Sequence, residues 1–201
     1  MKAALLTPLL FVTSVFAADE TEPPLGYTLK IDGKEFHMMA GEETPLKGSF
    51  TDPKATIVPD ATRHFDHGGV RFAYPGPFTF LFQKPDRASL VWTVKGTKTV
   101  FMINQYTARM TAESHAQTLL AQYGEKGSSE AVSYTLHGVD FKGVRVKLKL
   151  SPVTPEIYQD VLVLPSDSGT RVLMLQDRPE GGKHSQEFTD AVKLLDGTLE
   201  Y

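Results

Sequence analysis

The chain contains no cysteine, and this absence excludes several classes of protein at once. Without thiols there can be no disulfide framework, no cysteine nucleophile, and no zinc or iron–sulfur site built from cysteine. A lipid anchor on an N-terminal cysteine is excluded for the same reason. The fold must therefore be stabilised by its own hydrophobic core. A domain of this length can form one, since chains of this size bury roughly 70% of their unfolded surface.

The sequence also lacks an excess of basic charge and any familiar catalytic signature. It carries 21 lysines and arginines against 24 aspartates and glutamates, for a net charge of −3. Nucleic-acid-binding proteins usually show the opposite balance, so we do not expect nucleic acid as a partner. The motifs G-x-S-x-G, S-x-x-K and H-E-x-x-H and the glycine-rich phosphate loop are all missing. We therefore expect a protein without catalytic activity.

A single hydrophobic run lies at the N-terminus, and residues 1–17 have the pattern of a secretory signal peptide. Lys2 supplies the positive charge, Ala3–Phe16 is mostly apolar, and small residues favour cleavage between Ala17 and Ala18. A retained membrane anchor is the alternative, but the run is short for a hydrocarbon layer of roughly 30 Å. We expect export to the periplasm or the extracellular space. Because no other run reaches transmembrane length, we expect the mature protein to be soluble.

The rest of the chain predicts one domain over residues 27–201, preceded by an acidic, proline-containing and disordered lead-in over residues 18–26. Alternating segments flank Asp32-Gly33, which predicts a β-hairpin with a tight turn. Further alternating segments extend along the chain, and Trp92 lies in phase with apolar neighbours as a core residue.

Two helices are expected among these strands. Thr111 is a candidate N-cap for the first helix, which Gly124 would end. The second begins near Ser185 and is expected to end at Gly197, with a short strand after it. We count seven to nine strands, joined mainly by hairpins. This pattern predicts an α+β fold in which an antiparallel sheet packs against two main helices.

The order of these elements resembles a known family. A strand with the sequence Val-Arg-Phe-Ala-Tyr-Pro (Val70–Pro75) is followed by a hairpin, a helix that begins Thr-Ala-Glu-Ser at Thr111, a run of strands and a C-terminal helix. Over roughly residues 65–201 the chain resembles the PsbP-like superfamily, in particular its exported bacterial members of unknown role. The resemblance implies an α-β-α sandwich. It also implies a binding or assembly module, because the family shares no catalytic residue that could be transferred to this chain.

The densest group of potential metal ligands is formed by His64, Asp66 and His67. Two imidazoles and a carboxylate suit zinc or copper. On a strand, however, the two histidines would point to opposite faces, so a shared ion requires the segment to turn. The alternative is a solvated loop with ordinary histidines. His37-Met38-Met39 is a second group with ligands suited to copper, although core packing of Met38 explains it as well.

Two further sets of residues leave alternatives open. A row of basic residues could contact an anionic partner, or could simply keep the sheet soluble. An aromatic-rich region could line a ligand pocket or build the core. The basic set is Lys142, Arg145, Lys147 and Lys149, and the aromatic set is Phe72, Phe78, Phe80, Phe82, Trp92 and Phe101.

Together these features predict an exported, non-catalytic interaction module. We expect it to bind another protein or a component of the cell envelope through a sheet edge or its loops. The alternative is a protein that binds a small ligand or a metal ion through the histidine group or the aromatic region.

Overall fold

The computed structural model describes residues 21–149, 151 and 153–201. Within these residues the chain forms twelve β-strands, two α-helices and one short 3-10 helix. The predicted signal peptide lies outside the described residues, as do the first three residues of the predicted lead-in.

The N-terminal part of the chain forms two small antiparallel sheets. One has the strand order β2-β1-β3, and the other is the hairpin β4-β5. These strands are β1 (Gly26–Ile31), β2 (Lys34–Met39), β3 (Ala55–Pro59), β4 (Thr62–His67) and β5 (Val70–Pro75).

The other seven strands form one large antiparallel sheet with the order β6-β7-β8-β12-β11-β10-β9. They are β6 (Thr79–Gln83), β7 (Ser89–Lys95), β8 (Val100–Tyr106), β9 (Gly127–Leu136), β10 (Val139–Leu148), β11 (Ile157–Leu164) and β12 (Thr170–Asp177). Helix α1 (Ala112–Tyr123) connects β8 to β9, and helix α2 (Gln186–Thr198) follows β12. The sheet therefore ends at β6 on one side and at β9 on the other.

Short-range signals in the sequence explain the ends of these elements. Asp32 and Gly33 both have positive φ, 47° and 80°, as a two-residue turn between right-twisted strands requires. The Thr111 hydroxyl accepts a hydrogen bond from the Ser114 N–H at 3.1 Å and caps α1. The Ser185 hydroxyl caps α2 in the same way. The predicted hairpin and both predicted helix starts are confirmed.

The two helices contact different faces of the large sheet. Leu162 and Leu173 belong to the main hydrophobic cluster together with Phe188 of α2. Val161 and Val172, their direct neighbours in sequence, cluster instead with Ala112 of α1. Because successive side chains of a strand point to opposite faces, α1 and α2 lie on opposite faces. We call these the α1 face and the α2 face.

The α+β class is confirmed, but the expected strand count of seven to nine is wrong because the described residues form twelve. The prediction named no strand at residues 64–67, where the alternative to a metal site was a solvated loop, whereas β4 forms there with Phe65 buried between exposed polar neighbours. The predicted end of α2 was also one residue early. Beyond it there is a single β-bridge, between Glu200 and Arg71, rather than a strand.

Candidate functional site

The proposed metal ligands lie on both faces of β4. His64 and Asp66 are exposed, and Asp66 forms an ion pair with Arg71 at 2.9 Å. His67 lies on the other face, where its ring centre is 5.2 Å from that of Phe80 and 6.3 Å from that of Trp92. The segment does not turn between the two histidines, so the strand does not bring the three side chains together.

Nothing else in the described part of the chain resembles a metal centre. No group of three or more histidine or acidic side chains there is placed to hold an ion. His37 instead lies within 3.3 Å of the Thr28 hydroxyl. The zinc or copper site at His64, Asp66 and His67 stays a prediction that the geometry does not support.

The aromatic region mainly builds the core. Phe72, Trp92 and Phe101 are at most 2% exposed and belong to the main hydrophobic cluster, against which Phe80 and Phe82 pack. These side chains fill space between the large sheet, β5 and α2.

A buried ion pair lies on the α2 face of the sheet. Asp160 is 0% exposed in the middle of β11, and Arg145 lies directly opposite it on β10. The Arg145 Nε and Nη2 atoms each donate to one carboxylate oxygen of Asp160, both at 2.7 Å. The Tyr134 hydroxyl on β9 donates to the same carboxylate. These contacts supply the charge and the hydrogen bonds that a buried carboxylate requires.

The ion pair continues into a link with the start of α2. Arg145 Nη2 also lies 2.8 Å from His184 Nε2. Because a guanidinium can only donate, this imidazole nitrogen must accept, and His184 is therefore neutral with its proton on Nδ1. The Nδ1–H group then donates a hydrogen bond to Asp177 Oδ2, 2.9 Å away. Asp177 also accepts from the backbone and hydroxyl of Ser185, the N-cap of α2.

Two members of the network keep their protons firmly. Burial raises the pKa of Tyr134, and the negative charge of Asp160 raises it further. The hydrogen bond from Arg145 to Asp160 raises the pKa of the guanidinium, although burial opposes this effect. Tyr134 therefore stays a neutral phenol and Arg145 stays a cation at any physiological pH. The contacts of Arg145 hold this cation in a fixed position.

A groove opens beside this network, between β9 and α2. We call it the α2 groove. It has a volume of about 320 Å³ and combines apolar walls with the Arg145 guanidinium. The side chain of Arg145 is 16% exposed, and its Nη1 atom makes no hydrogen bond with any described residue. The lining residues used below are Val132, Tyr134, Arg145, Phe188, Thr189 and Val192.

A second groove lies on the opposite face, between β9 and α1. We call it the α1 groove. Its volume is about 330 Å³. Ala116 and Leu120 of α1, Ala131 of β9 and Val144 of β10 give it an apolar floor. Polar residues also line it, and they include the carboxylates of Glu113 and Glu130, so this groove carries negative rather than positive charge. The last strand of the sheet is thus flanked by a groove on each face.

The outer edge of β9 carries free backbone groups. Just before β9 begins, the Lys126 carbonyl accepts a hydrogen bond from the Lys149 N–H at 2.9 Å, so residue 126 is a bonded position. Bonded and non-bonded positions alternate along an antiparallel pair of strands. The even-numbered residues of β9 therefore bond to β10. The odd-numbered residues turn their N–H and C=O groups outwards. They are Ser129, Ala131, Ser133 and Thr135, together with the carbonyl of Gly127, whose N–H donates to the Gly124 carbonyl in the preceding turn.

The other edges in the described part of the chain are shorter or better protected. The same alternation leaves only Phe80 and Phe82 outward on β6. The outward positions of β3 include Pro59, which has no N–H, and those of β2 and β4 include the charged Glu35 and Asp66. Charges and prolines are the usual means of blocking an edge. No charge or proline occurs among the outward residues of β9.

Sequence reasoning missed this site. It placed Arg145 in a basic row that could contact an anionic partner or keep the sheet soluble, and it did not predict the buried partner Asp160, which lies on another strand, 15 residues away. The available signal was an aspartate inside the segment Ile157–Leu164, which is otherwise apolar except for Gln159. Of the other basic residues, Lys142 and Lys149 are exposed as expected, and Lys147 pairs with Glu130 at 2.7 Å.

No helix in the described ranges has the length and apolar character needed to cross a membrane. Comparison of the chain with known protein families and with curated proteins finds no match.

Proposed function

We propose that this protein is a non-catalytic interaction module that binds an extended segment of a partner polypeptide by adding it as a strand to the outer edge of β9. The observation that carries the proposal is the position of this edge. Four residues with free N–H and C=O groups, Ser129, Ala131, Ser133 and Thr135, lie between two grooves, one on each face of the sheet.

The arrangement meets the two requirements of strand addition. Main-chain hydrogen bonds to an exposed edge supply affinity, and pockets for alternate side chains supply specificity. Successive side chains of an added strand would point to opposite faces, so neighbouring residues of the partner would enter the α2 groove and the α1 groove in turn. Each groove has about the volume of a small binding pocket, which suits a single side chain better than a large cofactor.

Selection from a displayed library of random heptapeptides, followed by titration of the selected peptides, tests the proposal. Ala131→Pro removes an N–H that points outwards and leaves the ladder to β10 intact, so it should abolish binding. Ala131→Ser keeps the N–H and adds only a hydroxyl group to the side chain that lines the α1 groove, so most of the binding should remain. In the wild type, bound peptide should slow amide exchange at Ser129, Ala131 and Ser133. Equal binding to the proline variant, or protection at β6 instead, would refute β9 as the docking edge.

The finer assignment of the fold is part of the proposal. We propose that the large sheet and the two helices form an α-β-α sandwich of the PsbP-like type. The contacts of α1 and α2 with opposite faces support this assignment. The family resemblance in turn agrees with a binding role rather than a catalytic one.

We also propose that the chain is exported, on the strength of its N-terminal sequence. Expression of the full chain in a bacterial host and mass measurement of the extracytoplasmic protein test this. We expect a mature chain that begins at Ala18. Recovery of the chain only inside the cell and with Met1 intact would contradict export.

A further inference from the structure

We infer that the partner segment carries a glutamate, whose carboxylate enters the α2 groove and binds Arg145 Nη1, with apolar residues on either side of it. This inference rests on the proposed addition of a strand to β9 and specifies the chemistry of the segment. The features that support it are the unused donors of Arg145, the distance from β9, and the contrast between the two grooves.

The α2 groove presents donors that lack an acceptor. Asp160 and His184 accept hydrogen bonds from Nε and Nη2 of Arg145, whereas Nη1 has no acceptor among the described residues, and the Arg145 side chain lines the groove. In an added strand the backbone carbonyls of the partner bond to β9 or face away. An acceptor for Nη1 must therefore come from a side chain, and a carboxylate makes the strongest bond to a guanidinium.

The distance from β9 favours glutamate over aspartate. Arg145 lies on β10, so an added strand would be two strand spacings away, roughly 9.5 Å. The longer side chain of glutamate spans more of this gap. The bidentate contact with Asp160 and the stacking of the guanidinium over Tyr158, at 5.0 Å, hold Arg145 in place before the ligand arrives. A fixed donor loses little conformational freedom on binding.

The α1 groove requires a different chemistry at the neighbouring positions of the segment. Ala116, Leu120 and Val144 form its apolar surface. Residues on either side of the glutamate point to this face, and valine or isoleucine would bury apolar area there. The expected core of the segment is therefore apolar-Glu-apolar. This pattern differs from a generic strand in having one acidic residue at one defined position.

Four blocked pentapeptides test the inference by titration with the whole mature chain. They are Ac-Thr-Val-Glu-Val-Thr-NH₂ and the variants with Gln, Asp or Lys at the central position. We expect the Glu peptide to bind about tenfold tighter than the Gln peptide, since a hydrogen bond to a charged group exceeds a neutral one by roughly that factor. The Asp peptide should bind less tightly than the Glu peptide, and the Lys peptide most weakly.

A protein variant that leaves the ion pair untouched gives a second readout. Thr189 is exposed on α2 and lines the α2 groove. Thr189→Glu places a negative charge at the mouth of the groove, so the preference for the Glu over the Gln peptide should fall about threefold or more. Thr189→Gln is the matched neutral control and should keep the preference. Neither substitution alters the buried contacts of Arg145.

The outcomes separate this inference from the proposed function. If all four peptides bind equally and Ala131→Pro abolishes their binding, strand addition stands and the inference is overturned. If no peptide binds and library selection also yields none, strand addition itself is refuted. A preference for the Glu peptide that Thr189→Glu reduces and Thr189→Gln retains supports both.

Discussion

Substitution of Arg145 by methionine should destabilise the fold far more than the loss of an exposed charge. Asp160 is completely buried, and two of its three side-chain hydrogen bonds come from Arg145. Without the guanidinium, the carboxylate would keep only the Tyr134 hydroxyl and would stay in a low-dielectric environment. Removing one partner of a buried ion pair typically costs about 3–5 kcal/mol of unfolding free energy. We expect Arg145→Met to fall in this range.

Two further variants identify the cause of the loss. Arg145→Met combined with Asp160→Asn replaces the uncompensated carboxylate by a neutral group of the same shape. It should therefore recover about 1–2 kcal/mol relative to Arg145→Met alone. Lys147→Met removes a cation of the same strand whose partner Glu130 is 48% exposed. Since exposed ion pairs contribute little, its effect on stability should be much smaller.

Urea unfolding followed by circular dichroism measures these differences. With a typical slope of about 2–3 kcal/mol per molar urea, the midpoint of Arg145→Met should fall by roughly 1–2 M. The double variant should lie between Arg145→Met and the wild type. If Arg145→Met lowered stability no more than Lys147→Met, or if the added Asp160→Asn lowered it further, the reasoning about an uncompensated buried charge would be wrong.

Three other substitutions give separate tests. Gly143→Ala should lower the free energy of unfolding by about 1–3 kcal/mol in the same urea assay, because the new Cβ would lie 2.3 Å from the Val161 carbonyl oxygen of β11. An unchanged stability would contradict this close approach. Gly197→Ala should raise the free energy of unfolding by about 0.5–1 kcal/mol, because residue 197 is helical and no atom lies within 4 Å of the new Cβ. A less stable variant would contradict this expectation. Burial alone would raise the pKa of Glu187, but three backbone N–H groups of residues 97–99 donate to its carboxylate and lower the pKa overall. Its stabilising effect is thus fully present above about pH 4.3 and is lost as the pH falls through the lowered pKa of the folded state. Glu187→Gln should therefore cost about 1–2 kcal/mol at pH 7 and less at pH 3, as thermal melts at both pH values would show. A deficit independent of pH would contradict this assignment.

The elements predicted correctly are those set by neighbours in sequence. Thr111 and Ser185 cap their helices through residues three positions away, and Asp32-Gly33 forms its turn without help from the rest of the fold. Alternation also identified Trp92 as a core residue. In each case the physical cause lies within a few residues, so the sequence contains it directly.

The candidate site depends on the order of the strands, which alternation does not determine. Pairing of β8 with β12 rather than with β9, the next strand in sequence, puts β9 at the edge of the sheet. The contact of Arg145 with Asp160 follows from the register between β10 and β11. An arginine that alternates with valines has the same local pattern whether its partner is water or a buried carboxylate. The missed strand β4 has a similar cause, because its polar face conceals the alternation around Phe65.

The position of the charged network next to the open edge suggests why a buried charge is tolerated there. The network joins β9, β10, β11 and the end of β12 to the first residues of α2 through Tyr134, Arg145, Asp160, His184 and Asp177. Apolar residues of similar size could hold the helix at least as well. They could not orient a cation towards a groove. Nε and Nη2 of Arg145 bond within the fold, while Nη1 has no acceptor among the described residues. Because this side chain also lines the groove, it both links β10 to the start of α2 and presents a charge between α2 and β9. A rigid groove with a fixed donor selects its ligand with little loss of entropy, which is what a short binding segment needs.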